Sequence, residues 1–414
     1  MSESQTQFID ADQLRVGMYV YLDLGWMVHP FSVNNFKISS DSQIETIRGL
    51  GLKRLRWSPE LSDLPETAES EAPARKSESK ADAAEQGLLA EHASLARCDR
   101  EFNFASRAYR EILAQVKTSP ETARARIDTM VCGLVDGLLD QGESMIRLLS
   151  ENAGEASSLH AVNVTVISLL LGQCLGLDAD ALKRLGTGAL LHDIGKIELP
   201  SRIRWGQHDL SSSERALLHQ HAEFGAELAA EMQLDEEVRT IIAQHHEYAD
   251  GSGYPRRLRG EAQSAAARIV ALVNHYDSLC NPANPGAAVT PHRALSLMYA
   301  QSRERFDAHI LGVFIRMMGV YPPGSVVLLT DGRHALVVSV NAARPLKPRV
   351  LIHEPRVPAQ HAPVVDLGQY AELGIRASIK PVQLPRAVFD YLSPRQRMCY
   401  FFERARQSDH GPRG

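Results

Sequence analysis

Leu191-His192-Asp193-Ile194-Gly195-Lys196 is the stretch on which the reading of this chain turns. Leu182, Leu185 and Leu190 before it recur at helical spacing, so a His-Asp pair arrives at the end of a helix. A neutral imidazole and a carboxylate are both ligands for divalent first-row metals, and two adjacent residues supply one of each. A His-Asp dipeptide alone is commonplace. Its weight comes from its company: His160 upstream, then His221 and the pair His245-His246 at helical positions, then the glycine-rich turn Asp250-Gly251-Ser252-Gly253-Tyr254-Pro255. That spacing supports a His/Asp metal cluster assembled from separate helices. Taken singly, the same residues say little. A lone His160 is far more often a core or surface residue, Lys196 a solvated side chain, and Gly253-Tyr254-Pro255 an ordinary turn. His219, His275 and His334 are read in that plain sense.

Outward from the motif, residues 157–319 read as helix after helix. Val162, Val164, Leu169 and Leu170 lie on one, and the run 175–180 separates it from the helix that ends at the motif. Ser211-Ser212-Ser213-Glu214 has the form of a capping box. Helical patterns over 236–248, 263–279, 291–301 and 306–318 follow. Upstream, 14–20 alternates around Gly17 and reads as a strand pair. Trp26 to Phe31 is an aromatic-rich loop, 40–51 carries Ile44, Ile47 and Leu50 at helical spacing with Gly51 as a stop, and 52–57 alternates again. Together 8–60 is a small α+β domain. Residues 61–85, rich in Glu, Ala, Ser and Lys with few large apolar side chains, have linker composition. A helical connector spans 86–152, with helices over 87–116 and 122–149, the second begun by Ser119 as cap and Pro120 at its first position. It is read as part of the bundle. The main helical domain is 153–320. A β-rich extension covers 321–406, with an Asp331-Gly332 hairpin, a strand at 349–353 and one or two helices within 387–404.

Composition narrows the classes. The chain has 414 residues, room for two or three domains. A net charge of −5 gives no basic domain for polymeric nucleic acid, so any nucleotide site is a local pocket. Five scattered cysteines without a CxxC read as reduced thiols. The start, Met-Ser-Glu-Ser-Gln, lacks the form of a signal peptide, and no apolar run is long enough for a bilayer. The expected location is cytoplasmic, without a membrane partner.

The run His192 to Lys196, the run His245-His246-Glu247 and the signature Gly253-Tyr254-Pro255 together resemble the HD-GYP family, a branch of the HD metal-dependent phosphohydrolases. The likeness covers about 155–302, and 14–57 resembles a small domain of unknown function often fused ahead of HD-GYP domains. The resemblance implies a mainly α protein: an HD-type helical bundle, here preceded by the small α+β domain and followed by the β-rich extension. It implies hydrolysis of the bacterial second messenger cyclic di-GMP to the linear dinucleotide pGpG or to GMP. It further implies two divalent metal ions, iron or manganese, held by His160, His192, Asp193, His221, His245, His246 and Asn274, with Asp193 as the bridge. Lys196 would reach substrate phosphate or protonate the leaving oxygen. Gly253, Tyr254 and Pro255 would shape the pocket edge, with Tyr254 against a base or sugar, and Asp277 would serve on the substrate side.

Three positions depart from that family's pattern. Three-metal members carry a glutamate where this chain has Ala156, with Glu155 one step off. The first acid of the family's Asp-x-x-Asp is Asn274 in Asn274-His275-Tyr276-Asp277, and Asn is the weaker ligand. The basic run after that helix is replaced by Leu279-Cys280-Asn281-Pro282, leaving Arg256, Arg257 and Arg259 as positive charge on another rim. The departures leave a second reading open, a weak or inactive relative that binds or scaffolds, with a diguanylate cyclase or another signalling protein as partner.

Overall fold

The computed structural model describes residues 6–22, 34–50, 52, 54–63, 80–140, 144–150, 156–204 and 210–404, which fall into two compact units divided after Gln86. In the first, β1 (Gln7–Asp10), β2 (Tyr19–Tyr21), β3 (Asn35–Lys37) and β4 (Arg54–Ser58) form an antiparallel sheet in the order β1-β4-β2-β3. Helix α1 (Asp41–Gly49) buries Ile44 and Ile47 in a core with Leu14, Val20 and Leu55. The alternation at 14–20 does not make a strand pair. Gly17 takes φ +97°, its N–H donates to the Ile38 carbonyl, and its own carbonyl accepts from Asp63, so the chain turns there and β2 starts only at Tyr19. The aromatic stretch Trp26 to Phe31, Gly51, most of the 61–85 linker and Glu155 lie outside the described residues.

The second unit opens with α2 (Lys80–Gln115) and α3 (Pro120–Asp140), then β5 (Ser144–Leu148). The bundle continues with α4 (Ala156–Cys174), α5 (Ala179–Leu191), a 3-10 turn (Ile194–Glu198), α6 (Ser201–Arg204), α7 (Ser212–His219), α8 (His221–Glu231) and α9 (Glu236–Gln244). It is completed by α10 (Ala265–Cys280), α11 (Pro291–Gln301) and α12 (Ala308–Met318). Asp178 caps α5 by accepting the Ala181 N–H at 2.8 Å, and Ser211 with Glu214 forms the expected capping box on α7. The fold is mainly helical, with strands at both ends of the described chain. Among the described residues, no helix is long and apolar enough to cross a membrane.

After the bundle come β6 (Val326–Leu329), β7 (His334–Asn341), β8 (Arg349–Ile352), β9 (Val364–Asp366), β10 (Ile375–Ile379), α13 (Arg386–Leu392) and β11 (Tyr400–Arg404). Asp331-Gly332 turns β6 into β7, with Gly332 at φ +87°. These strands are not an appendage. The sheet runs β10-β6-β7-β5-β11, so β5, from the stretch read as the end of a helix, is paired with β7 and β11. One hydrophobic core joins Phe102 and Ile112 of α2, Ile127 of α3, Leu169 of α4, Tyr276 of α10 and Phe402 of β11. The expected boundaries at 152 and 320 therefore fall inside one compact unit.

Two expectations about elements are corrected here. Residues 144–148 are a strand because a short run buried on both faces has no period to distinguish it from a helix end. Residues 400–404 are a strand because Tyr400, Phe401 and Phe402 pair with Leu148, Arg147 and Ile146.

What matters for the site is how α5, α8 and α9 meet. The 3-10 turn after α5 lies on the first turns of α8, and α9 packs on both α5 and α8. A side chain on Gly195 would run into the His221 carbonyl and the Gly225 backbone, so this glycine permits the close approach.

Candidate metal centre

Five imidazoles and one carboxylate converge around these helix ends. His192 caps α5 and is fully buried; its Nδ1–H donates to the Ala189 carbonyl at 2.7 Å. His221 opens α8 and donates Nδ1–H to Leu218 at 2.5 Å, and His245 caps α9 and donates to Ile242 at 2.6 Å. In each case the acceptor is a carbonyl three residues back, so the proton sits on Nδ1 and the Nε2 lone pair faces inward. His160 of α4 gives its Nδ1–H to the Asp277 carboxylate at 2.6 Å and is set in the same tautomer.

The inward nitrogens come in pairs. Nε2 of His160 and of His192 are 3.2 Å apart, and so are those of His221 and His245. With both protons on Nδ1, each pair sets lone pair against lone pair, which is unfavourable without a cation to share. Asp193 lies between the pairs. Its Oδ2 is 3.5 Å from His192 Nε2 and 3.8 Å from His160 Nε2; its Oδ1 is 3.3 Å from His221 Nε2 and 3.7 Å from His245 Nε2. Oδ1 is buried with no hydrogen-bond donor, a costly state for a carboxylate. Asp193, His221, His245 and His246 offer ligand atoms within 4.8 Å of one another, and so do His160, His192 and Asp193. The donor set, the unpartnered oxygen and the facing lone pairs all fit divalent cations.

Electrostatics keep the donors in ligating form. Burial pushes the His192 and His246 pKa well below the ordinary histidine value, and burial also lowers His245, so all three rings stay neutral. For His160, burial works downward but the Asp277 contact outweighs it and raises the pKa. Burial would raise the Asp193 pKa, yet the Lys196 ammonium, whose Nζ is 2.6 Å from Oδ2, leads the influences that hold it well below the usual carboxylate range.

The Gly-Tyr-Pro loop is fastened to the α9 end from three sides. The Tyr254 N–H donates to the His246 carbonyl at 3.1 Å, and a side chain on Gly253 would collide with the 246–248 backbone. Buried Glu247 accepts the Arg256 N–H at 2.6 Å and the Leu258 N–H at 2.9 Å. The Tyr254 ring stacks between His219 and His246, with centroids 3.7 and 4.5 Å away.

His160, His192, Asp193, His221, His245 and His246 are thus brought together, and Lys196 joins them through Asp193. The remaining candidates are placed as follows. Tyr254 has both ring faces covered by histidines, which leaves it no open face for a base. Asp277 is fully buried behind His160, with Oδ2 on that ring. Asn274 is buried one turn before Asp277, its Oδ1 3.5 Å from the Ser278 hydroxyl. His275 packs among Tyr248 and Phe306, as an ordinary core-edge residue. His219, read plainly from sequence, instead supports Tyr254. Glu247 went without a role although it stands in the His245-His246-Glu247 run; an acid next to a ligand pair and before a glycine-rich turn was the available signal.

Residues 143–310 match the HD domain family model, and residues 6–127 match a domain of unknown function (DUF3391). The chain carries an HD domain with the HD-GYP signature residues, preceded by a DUF3391 domain. This HD-domain chain is similar along nearly its whole length to the cyclic di-GMP phosphodiesterase PA4108 of Pseudomonas aeruginosa: 28% identity over 396 residues, 91% of this chain and 92% of the relative. It is 35% identical over 149 residues to the cyclic di-GMP phosphodiesterase response regulator RpfG of Xanthomonas campestris, covering 36% of this chain and 39% of that one. It is 33% identical over 134 residues to the 3'3'-cGAMP-specific phosphodiesterase 2 of Vibrio cholerae, covering 31% and 26%.

Proposed function

We propose that this HD-GYP protein is a metal-dependent phosphodiesterase that hydrolyses cyclic di-GMP to linear pGpG or GMP in bacterial second-messenger signalling. The carrying observation is Asp193, whose two oxygens face two separate groups of preset imidazoles. His160, His192 and Asp193 would hold one ion, and Asp193, His221, His245 and His246 the other. Without a thiolate in the set, iron or manganese suits these donors. Bound divalent ions supply a water acidic enough to act as nucleophile near neutral pH and positive charge for the phosphoryl oxygens.

The chain's own groups do the rest. The Nδ1–H bonds of His160, His192, His221 and His245 hold their lone pairs on target before any ligand arrives, which avoids reorganisation later. Lys196 keeps Asp193 ionised, and its side chain, 32% exposed, has further N–H donors for a phosphate oxygen. The loop of Gly253, Tyr254 and Pro255 holds His246 and forms the pocket rim, where exposed Arg256, Arg257 and Arg259 offer positive charge. The long relative from Pseudomonas supports cyclic di-GMP as substrate, and the Vibrio relative makes 3'3'-cGAMP the comparator.

The test is anaerobic purification, metal analysis, and cleavage of both cyclic dinucleotides by the same sample. Iron- or manganese-loaded protein that leaves cyclic di-GMP intact would retire the proposal. His192→Ala and Asp193→Ala should each abolish the activity.

Asn274 favours one rival. A neutral amide on α10 cannot supply the anionic ligand that the family's aspartate provides, which suits a weak or inactive protein that binds cyclic di-GMP or scaffolds a diguanylate cyclase. Turnover gained in Asn274→Asp over a silent parent would support that rival.

A further inference from the structure

We infer that Asn163 and Asn281 are positioning residues of the metal centre, clamping the C-terminal segment 398–400 against Asp277, the carboxylate that aims His160. The inference rests on the metal-centre reading above. Asp277 is fully buried on α10. Its Oδ2 accepts from His160 Nδ1 at 2.6 Å; its Oδ1 accepts one N–H from Asn163 and one from Asn281, both at 2.9 Å. Each asparagine is in turn committed to the same backbone. Asn281 accepts the Met398 N–H at 2.8 Å and donates to the Met398 carbonyl at 2.9 Å. Asn163 donates to that carbonyl at 2.6 Å and accepts the Tyr400 N–H at 3.0 Å.

Both amides therefore spend both hydrogens and the oxygen on fixed partners. A carboxamide is suited to this: one N–H for a carboxylate, one for a carbonyl, and an oxygen for a backbone N–H. Flipping either amide would set its oxygen against the Asp277 carboxylate. The two clamps thus fix where Oδ1 sits, and with it the direction of Oδ2.

The reason His160 needs this is local. His192, His221 and His245 each find an Nδ1 acceptor three residues back, so their rings are aimed by their own helix ends. His160 lies within α4, and its Nδ1 partner comes from α10. Of these four rings, His160 is therefore the one whose Nδ1 acceptor depends on tertiary structure, including a segment 235 residues beyond Asn163. Loss of a supporting partner typically weakens a metal site by about 10- to 100-fold.

The experiment uses the full chain as parent, Asn281→Asp, Asn163→Asp, His160→Ala and the double variant His160→Ala/Asn281→Asp. Manganese binding is measured by equilibrium dialysis with metal counting, alongside melting of the metal-free protein. An aspartate keeps the shape but turns an oxygen toward Asp277 in place of an N–H. The expected result is two ions in the parent. In Asn281→Asp, one ion is retained and the second held about 10- to 100-fold more weakly, while the metal-free protein still folds but melts below the parent because an N–H bond to the buried Asp277 carboxylate is lost. In the His160→Ala background the same substitution should cost nothing more, because it acts through that ring. Parent-like binding of both ions in a folded Asn281→Asp overturns the inference, and so does a loss that adds to that of His160→Ala. Asn281 is half-buried, so it decides the matter even where fully buried Asn163 tolerates no change. A parent that binds no ion overturns the metal-centre reading itself.

Discussion

Gly253→Ala is the sharpest test of why the Gly-Tyr-Pro turn has a glycine. The added Cβ would sit 2.5 Å from Tyr248 N and 2.6 Å from Glu247 Cα, and nearer still to the His246 carbonyl oxygen. All three are backbone atoms, and real Cβ contacts essentially never fall under 3.0 Å. The loop must then withdraw by at least about 0.5 Å, and by about 1 Å to reach ordinary contact. A withdrawal of that size breaks the 3.1 Å bond from Tyr254 N–H to His246 and stretches the two backbone bonds onto Glu247. Overpacking alone costs about 1–3 kcal/mol, and each hydrogen bond to a buried charge that is lost adds roughly 1.5–3 kcal/mol. Tyr254 moves with the loop and leaves the His246 ring. Since a displacement of about 1 Å in a catalytic constellation can cost on the order of 100-fold in rate, cyclic di-GMP cleavage should fall by that order. Bound metal should weaken in the His221, His245 and His246 half. Gly87→Ala, at an exposed site with nothing within 4 Å of the new carbon, is the control and should leave stability unchanged or slightly raised. Gly253→Ala with the parent's melting temperature, metal content and rate would refute the steric argument.

Tyr254→Phe should keep parent-like metal binding, since stacking on His219 and His246 needs only the ring, while Tyr254→Ala should lose roughly 0.5–1.5 kcal/mol per ring pair and loosen His246; equal effects of the two in calorimetric metal titration would contradict this. Glu403 accepts from Arg147, Arg349 and Ser94 in a buried network that Glu91 completes. Glu403→Ala leaves the buried Arg147 and Arg349 guanidiniums to share the single Glu91 carboxylate and should cost about 3–5 kcal/mol in urea unfolding; a loss under about 1 kcal/mol would show the network to be dispensable. The metal-free protein should lose stability as pH falls below about 6.5, the ordinary histidine value. His192, His245 and His246 have lowered folded-state pKa values, so the unfolded chain takes up more protons there. His160 is raised, so its stabilisation is present at acid pH and lost as pH climbs past its folded pKa, offsetting part of the trend. Urea titrations at pH 8, 6.5 and 5.5 that show flat or rising stability toward acid would contradict the assignment.

Much of the fold was legible because helical apolar periods are long-range repetitions of a local rule. The capping box at Ser211, the Asp331-Gly332 hairpin and the helices over 291–301 and 308–318 need nothing beyond their own neighbourhood. The failures are where tertiary pairing decides. Leu14 to Val20 has strand-like alternation, but Gly17 is spent on hydrogen bonds to Ile38 and Asp63. β5 carries Arg147, buried in the sheet because Glu91 and Glu403 neutralise it, and a buried arginine gives no apolar period to read.

The site divides along the same line. His192, His221 and His245 are proposed ligands whose orienting acceptors lie three residues away, so motif and geometry are a single local fact, and the sequence carried both. Asp277 and Tyr254 were visible as motif positions, but their neighbours were not, because the fold decides which ring lies opposite: His160 for Asp277, and His219 with His246 for Tyr254. Asn281 shows the limit most plainly. Compared with the family's basic run it reads as a loss of phosphate-gripping charge. In the folded chain it is an amide with both hydrogens and its oxygen engaged, joining α10 to the strand that ends the described chain. Replacing a cation by a carboxamide at that point exchanges a contact with ligand for a contact with the chain's own C-terminal segment. If that exchange is what the residue is for, restoring a basic residue as Asn281→Arg should weaken the His160 half of the centre without improving turnover, and a gain in cyclic di-GMP cleavage would return Asn281 to the substrate side.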